Sequence, residues 1–167
     1  CPACNQTRFP DAGPVALSQR LSAEGYRHLA APGTAKYQIE IYPHPALIEL
    51  FDLPQRLPYK KGDPDARRGG QMRLAELIRE LQYAGVLRLT IPNAFAAYLD
   101  PATIATLKGG ALKANEDALD ALVCLYICAL YAHRAPHRIF GDETDGYIVV
   151  PSGCVALTFC RRPQQKA

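Results

Sequence analysis

The amino-acid sequence predicts an α/β domain, because segments typical of strands alternate along it with segments typical of helices. β-favouring residues alternate with polar ones over residues 37–42, and a helix with a proline in its first turn follows at 45–51. Residues 115–131 are apolar nearly all round a helix, so this helix must be buried. Residues 138–140 and 147–150 are short β-favouring runs on either side of a turn, which predicts a hairpin.

The other elements are predicted from apolar periodicity and from turn residues. We expect one domain over residues 15–151, between an irregular lead-in at 1–14 and a C-terminal tail at 152–167. Asp100 and Asn115 are predicted to cap the helices that follow them. The further predictions are a surface helix within 15–28, a loop at 53–68, a helix at 72–81, a strand at 86–91 and two short helices at 93–99 and 101–107.

The composition is that of an ordinary folded domain. Of the 167 residues, 49% are hydrophobic and 21% are charged, close to the averages for globular proteins. The longest apolar run has 12 residues, whereas a helix needs about 20 to cross a bilayer, so we expect no membrane partner. No secretion signal is recognisable, which favours a cytoplasmic location. The net charge of +3 permits a nucleic-acid partner without indicating one.

The cysteines and the only methionine lead to further expectations. Cys124 and Cys128 lie in the predicted buried helix, where thiols act as small hydrophobes, so we expect them to be reduced. Cys1 and Cys4 have the spacing of half a zinc site, for which the sequence offers no convincing second half. The only methionine is Met72, so the chain is expected to be processed or a fragment.

Two acids near the start of the last predicted helix are candidates for chemistry. Asp117 and Asp120 are three residues apart and therefore share one helix face. The helix dipole favours acids in a first turn, which explains Glu116 and Asp117. Asp120 lies further along a buried helix, where an unpaired carboxylate is costly. It therefore needs a partner, either a structural Arg or Lys or a metal ion.

Glu40 is the third candidate acid, because it lies near the C-terminal end of the predicted strand, where open α/β sheets bind ligands. The alternative is that the strand lies at the edge of a sheet and that Gln38 and Glu40 are on its solvent-exposed face. If Glu40, Asp117 and Asp120 converge, they form an oxygen-only site that suits Mg²⁺ or Mn²⁺. Two such ions promote phosphoryl transfer by activating water and stabilising the leaving oxygen.

A basic cluster and one histidine are candidates for holding phosphate groups. His44 follows the predicted strand between two prolines, either as a general base or phosphate contact, or as a capping or packing residue. The cluster is net positive and lies partly on the predicted loop; its alternative role is a solvated surface. Its members are Arg56, Lys60, Lys61, Arg67, Arg68, Arg73 and Arg79.

Several motifs of the sequence, taken in order, carry a resemblance to a known family. They are Ile39–Pro45, Tyr59–Gly62, Glu116–Leu122, Gly141-Asp142 and Gly146–Pro151. These motifs resemble the domain-of-unknown-function family 429, whose members are described as predicted nucleases of ribonuclease-H-like fold. The resemblance runs from about Phe9 to Pro151. It implies a mixed sheet flanked by helices, and Mg or Mn as the cofactor for hydrolysis of phosphodiester bonds.

The segment Glu116–Leu122 also resembles the last helix of RuvC-type junction resolvases, in which an aspartate completes the metal site. By this resemblance Glu40 takes the acid of the fourth strand, and Asp117 or Asp120 takes the helix acid. The ribonuclease-H-like fold places its first metal-binding aspartate on the first strand, and the three strands that should come first are absent here. The resemblance therefore implies the C-terminal part of such a domain, with an incomplete site.

Three functions stay open on the sequence alone. The first is a metal-dependent nuclease, in which the three acids are catalytic metal ligands and the substrate is bound by His44, Lys60 and Lys61. The second is a non-catalytic module that keeps the fold, binds nucleic acid or protein, and uses the acids in structural ion pairs. The third is an enzyme acting on small phosphorylated molecules, since many chemistries share this fold.

Overall fold

The structure, a computed structural model, describes residues 7–31 and 36–153 of the chain. Its elements are α1 (Gly13–Ala23), β1 (Arg27–His28), β2 (Tyr37–Gln38), α2 (Pro43–Phe51), α3 (Pro64–Glu80), α4 (Ala96–Leu99), α5 (Pro101–Thr106), α6 (Gly109–Ala132), β3 (His137–Asp142) and β4 (Gly146–Pro151). Short 3₁₀ turns lie at Leu81–Tyr83 and Asn93–Phe95. The fold is mixed α/β, as predicted.

The strands form two small sheets. β1 and β2 pair in parallel, and β3 and β4 form the predicted antiparallel hairpin. The strand predicted over residues 37–42 is shorter than expected, since only Tyr37 and Gln38 are in a ladder. The chain then approaches the hairpin, where the backbone N–H of Val149 donates to the carbonyl oxygen of Glu40 at 2.8 Å. This bond connects the segment after β2 to β4.

Most of the core lies between α2, α3 and α6. Leu47, Leu74, Ile78, Leu119 and Val123 come from these three helices and are at most 1% exposed. A smaller cluster beside the sheets contains Tyr131, Tyr147 and Val149, against which Leu29, Tyr37 and Ile39 pack. The apolar face of α6 is therefore buried, as its sequence predicts.

The start of α3 lies earlier than predicted. Asp63 caps this helix, because its Oδ1 accepts from the backbone N–H groups of Asp65 and Ala66 at 3.0 Å. The predicted loop 53–68 therefore ends at Asp63, and Arg67 and Arg68 lie on a helix. Residues 86–91 do not form the predicted strand.

The start of α6 also differs from the prediction. The helix begins at Gly109, so Asn115 is inside it and is not its cap. Asp100, in contrast, caps α5 as predicted, since its carboxylate accepts from the backbone N–H of Thr103 at 2.8 Å. Glu116, Asp117 and Asp120 consequently all lie beyond the first turn of α6. The helix dipole therefore does not explain why acidic residues occur at these positions.

The two cysteines of α6 are free thiols, and burial raises the pKa of Cys124 to about 11. Cys1 and Cys4, which have the spacing of half a zinc site, lie outside the described residues. Over the described part of the chain, no helix combines the length and the apolar composition that a membrane crossing requires.

Candidate functional site

Asp120 is held by two neighbouring residues of the loop between α2 and α3. The hydroxyl of Tyr59 donates to Oδ1 of Asp120 at 2.7 Å, and the ammonium of Lys60 donates to Oδ2 at 2.5 Å. The Asp120 side chain is 20% exposed, so this ion pair is only partly screened by water. The prediction that Asp120 needs a partner is confirmed, and in this structure the partner is a lysine together with a tyrosine.

Tyr59 is fully buried and is contacted from several sides. Its backbone carbonyl accepts from the side-chain amide of Gln71 at 3.3 Å, and the ring of His44 lies 5.2 Å from its own ring. Burial and the negative charge of Asp120 raise the pKa of Tyr59, so its hydroxyl remains a donor at neutral pH. The loop that carries Lys60 is therefore fixed at its base.

Glu116 lies one helical turn before Asp120 on the same face of α6. Its side chain is 5% exposed and pairs with the guanidinium of Arg67 at 3.3 Å and with the ammonium of Lys113 at 2.7 Å. Asp117 is different, because its side chain is 62% exposed and pairs with Lys113 at 2.7 Å. The second acid near Asp120 is therefore Glu116, whereas the sequence pointed to Asp117.

A cavity of about 100 Å³ opens beside Lys60, and three of its six lining residues are Arg or Lys. Arg56, Lys60, Lys61 and His44 contribute its polar groups, and we call it the cationic cavity. Lys60 is neutralised by Asp120, whereas Arg56 and Lys61 make no ion pair with any residue that the structure describes. The cavity therefore carries positive charge that an anionic ligand of small size could balance.

His44 lies at the wall of the cationic cavity, in the first turn of α2. Its Nδ1 is buried and has no hydrogen-bond partner among the described residues. Burial lowers the pKa of His44, and the charges of Lys60 and Arg56 lower it further. The ring is therefore neutral at pH 7 and packs against Tyr59, so the packing role predicted as one alternative is confirmed.

The four remaining members of the predicted basic cluster lie on α3, and three of them are engaged in ion pairs. The pairs are Arg67 with Glu116, Arg68 with Asp65, and Arg73 with Glu76. These residues fit the solvated or structural role for a basic cluster. The part of the cluster that faces a cavity is the loop segment with Arg56, Lys60 and Lys61.

Glu40 lies at a different place in the fold from the acids of α6. It lines a second cavity together with Ser18 and His28. Within residues 7–31 and 36–153, no group of three or more His, Cys, Asp or Glu side chains is arranged to hold a metal ion. The three predicted ligands Glu40, Asp117 and Asp120 are thus not brought together, and their arrangement does not fit a shared carboxylate site.

Around Asp120, sequence reasoning missed Tyr59 and Glu116 as site residues, and it named Arg67 only as a member of the basic cluster, without its pairing to Glu116. Tyr59 and Arg67 carry no local signal, since their partners are 61 and 49 residues away along the chain. Glu116 did carry one, because it precedes Asp120 by four residues and i, i+4 residues share a helix face. The incorrect placement of the helix start concealed that signal.

A family model described as "Protein of unknown function (DUF429)" matches residues 9–145. No curated protein and no solved structure matches the chain.

Proposed function

The chain belongs to DUF429, a family of proteins of unknown function, and we propose that it binds the phosphate groups of a nucleic acid in its cationic cavity. The observation that carries the proposal is the pair of exposed cations, Arg56 and Lys61, which have no acidic partner among the described residues. Lys and Arg that neutralise backbone phosphates supply most of the affinity of non-specific nucleic-acid binding.

The geometry of the loop supports this function. Asp120 and Tyr59 position Lys60 at the cavity wall, which Arg56 and Lys61 also line. Arginine offers a planar fork for phosphate oxygens, and lysine a compact charge. The neutral ring of His44 completes the wall of the cavity.

Salt-dependent binding tests the proposal. We expect a short fluorescein-labelled DNA or RNA to bind the chain with an affinity that falls between about 50 and 200 mM salt. The variants Arg56→Ala and Lys61→Ala should each weaken binding and reduce the slope of log affinity against log salt by about 1. Fluorescence anisotropy measures both quantities.

The matched control is Arg20→Ala, which removes the same charge from the exposed surface of α1. It should leave the salt slope within error of the unaltered chain. An equal loss in Arg20→Ala and Lys61→Ala would contradict the proposal, because net charge alone would then explain the binding.

The second proposal is a metal-dependent nuclease of ribonuclease-H-like fold. It is supported by the two acids of α6, Glu116 and Asp120, which share one helix face. It is also supported by the nearby cationic cavity, because Lys60 both lines this cavity and pairs with Asp120. As described above, both oxygens of Asp120 are occupied by Tyr59 and Lys60. This function therefore needs a rearrangement that frees the Asp120 carboxylate for Mg or Mn.

Metal titration tests the second proposal. Mn²⁺ should raise the free energy of unfolding, by about 2.7 kcal/mol at 100 times its dissociation constant, and Mg²⁺ should support cleavage of a labelled nucleic acid. Asp120→Asn should abolish both effects, measured against the metal-free baseline of the same variant. Asp117→Asn is the control and should retain them. The absence of any Mn²⁺ effect on the unaltered chain would refute this proposal and leave the binding module.

A further inference from the structure

The second cavity, of about 290 Å³, lies between α1 and the segment that follows β2. Its walls are largely apolar and include Leu17, Leu21 and Ile39. Ser18 and His28 also line it, and Oγ of Ser18 lies 2.7 Å from Nε2 of His28. A hydroxyl and an imidazole at this distance are the two groups that nucleophilic catalysis by serine requires.

The donors and acceptors among Ser18, His28 and Tyr147 follow from the contacts of the Tyr147 hydroxyl. The hydroxyl of Tyr147 lies 3.2 Å from the backbone oxygen of Gln38 and 2.9 Å from Nδ1 of His28. A carbonyl oxygen only accepts, so the single proton of the Tyr147 hydroxyl is donated to Gln38. The Tyr147 oxygen therefore accepts from His28, whose Nδ1 carries the ring hydrogen.

This tautomer leaves Nε2 of His28 as the acceptor for the serine. Burial lowers the pKa of His28, while the charges of Glu143 and Glu40 act in the opposite direction, so the ring is neutral at pH 7. With its only hydrogen at Nδ1, the ring accepts the hydroxyl proton of Ser18 at Nε2. Histidine has the same tautomer where it acts as the general base of a serine nucleophile, and Tyr147 here orients the ring.

We propose that Ser18 and His28 form a second functional site, which hydrolyses esters with a small, uncharged, apolar acyl group. Oγ of Ser18 bonds to the acyl carbon, and its proton moves to Nε2 of His28. The ester C–O bond then breaks, and the alcohol leaves with that proton. Water attacks the acyl-serine and gives a proton to His28, which returns it to Ser18 as the carboxylic acid is released.

The walls of the cavity determine the substrate class. Leu17 is 56% exposed and, with Leu21 and Ile39, offers apolar surface that an acyl chain would cover. Glu40 lines the same cavity, and its negative charge favours the imidazolium that forms on His28 during the reaction. This site shares no lining residue with the cationic cavity, so the two proposals are tested independently.

Covalent labelling and ester hydrolysis test the proposal on the full chain. We expect a fluorophosphonate probe to form one adduct, mapped by mass spectrometry to Ser18. Hydrolysis of p-nitrophenyl butyrate should fall to background in Ser18→Ala and about 100-fold in His28→Asn, the scale of general base catalysis. The matched control is Ser22→Ala, which removes another hydroxyl of α1, the acceptor of the Gln38 amide, and should change neither result.

A third variant separates loss of chemistry from loss of fold. Ser18→Cys nearly preserves the side-chain size, and its thiol should react with iodoacetamide at about pH 7 faster than the thiol of Ser22→Cys, because His28 takes its proton. Equal reaction rates would overturn the proposal. So would an unaltered chain that takes up no probe or takes it up elsewhere than Ser18, because the hydrogen bonds would then only connect α1, β1 and β4.

Discussion

Replacing Gly70 with alanine is expected to lower the free energy of unfolding by about 3 kcal/mol, the upper part of the usual cost of overpacking. A Cβ at Gly70 would lie 2.7 Å from the backbone nitrogen of Tyr59 and 2.8 Å from the carbonyl group of Pro58. Backbone atoms cannot rotate away as a side chain does, so α3 and the loop would have to separate. Urea denaturation followed by circular dichroism measures the loss.

The neighbouring Gly69 provides the matched control, because a Cβ there meets no described atom within 4 Å. Gly69→Ala should raise the free energy of unfolding by about 0.5–1 kcal/mol, since alanine favours the helix and has fewer unfolded conformations than glycine. Two variants with the same effect would contradict the close approach of α3 to the loop.

Replacing Gln71 with leucine is expected to cost about 3 kcal/mol or more. Gln71 is fully buried, and its amide donates to the carbonyl oxygens of Tyr59 and Leu112 at 3.3 and 3.2 Å. Its Oε1 accepts from the side chain of Asn115 at 3.0 Å. Leucine removes the Gln71 partner of the Tyr59 carbonyl and of the Asn115 amide, and each buried group left unsatisfied costs about 1–3 kcal/mol. The Leu112 carbonyl keeps its hydrogen bond within α6. Urea denaturation measures this loss as well.

A double variant tests the cause of that loss. Replacing only one partner of a buried hydrogen bond leaves the other unsatisfied, whereas replacing both removes the penalty for that bond. The double variant Gln71→Leu/Asn115→Leu should therefore lose less stability than the sum of the two single variants. A strictly additive loss would contradict the idea that these two amides depend on each other.

The sequence predicted the elements whose signals are local. The apolar surface of α6, the turn-rich hairpin and the Asp100 cap of α5 are all present, because each depends on residues within a few positions. The position of Asp120 on a buried helix also predicted that its carboxylate has a partner, and it has one. Which residue would serve as partner was not predictable, because Lys60 is 60 residues away along the chain.

The errors came from signals that tertiary contacts override. Asn115 has the chemistry of a cap and follows a Gly-Gly pair, yet α6 includes both glycines and uses Asn115 to hold Gln71. Glu40 lies after a strand that proved to be two residues long, and the chain carries it to the cavity of Ser18 rather than to the acids of α6. The periodicity of the sequence contains no information on the contact between Asn115 and Gln71 or on the position of Glu40 relative to α6.

Lys60 would meet a ligand from a loop that is already rigid. Its neighbour Tyr59 is fixed by Asp120, by Gln71 and by the close approach of Gly70. Immobilising a long side chain on association usually costs about 0.5–1.5 kcal/mol, and ordering a flexible loop adds to this. The loop is already ordered when the protein folds, so much of this entropy is not lost again on binding. A ligand therefore docks on a preorganised surface, and binding needs no coupled ordering of the loop.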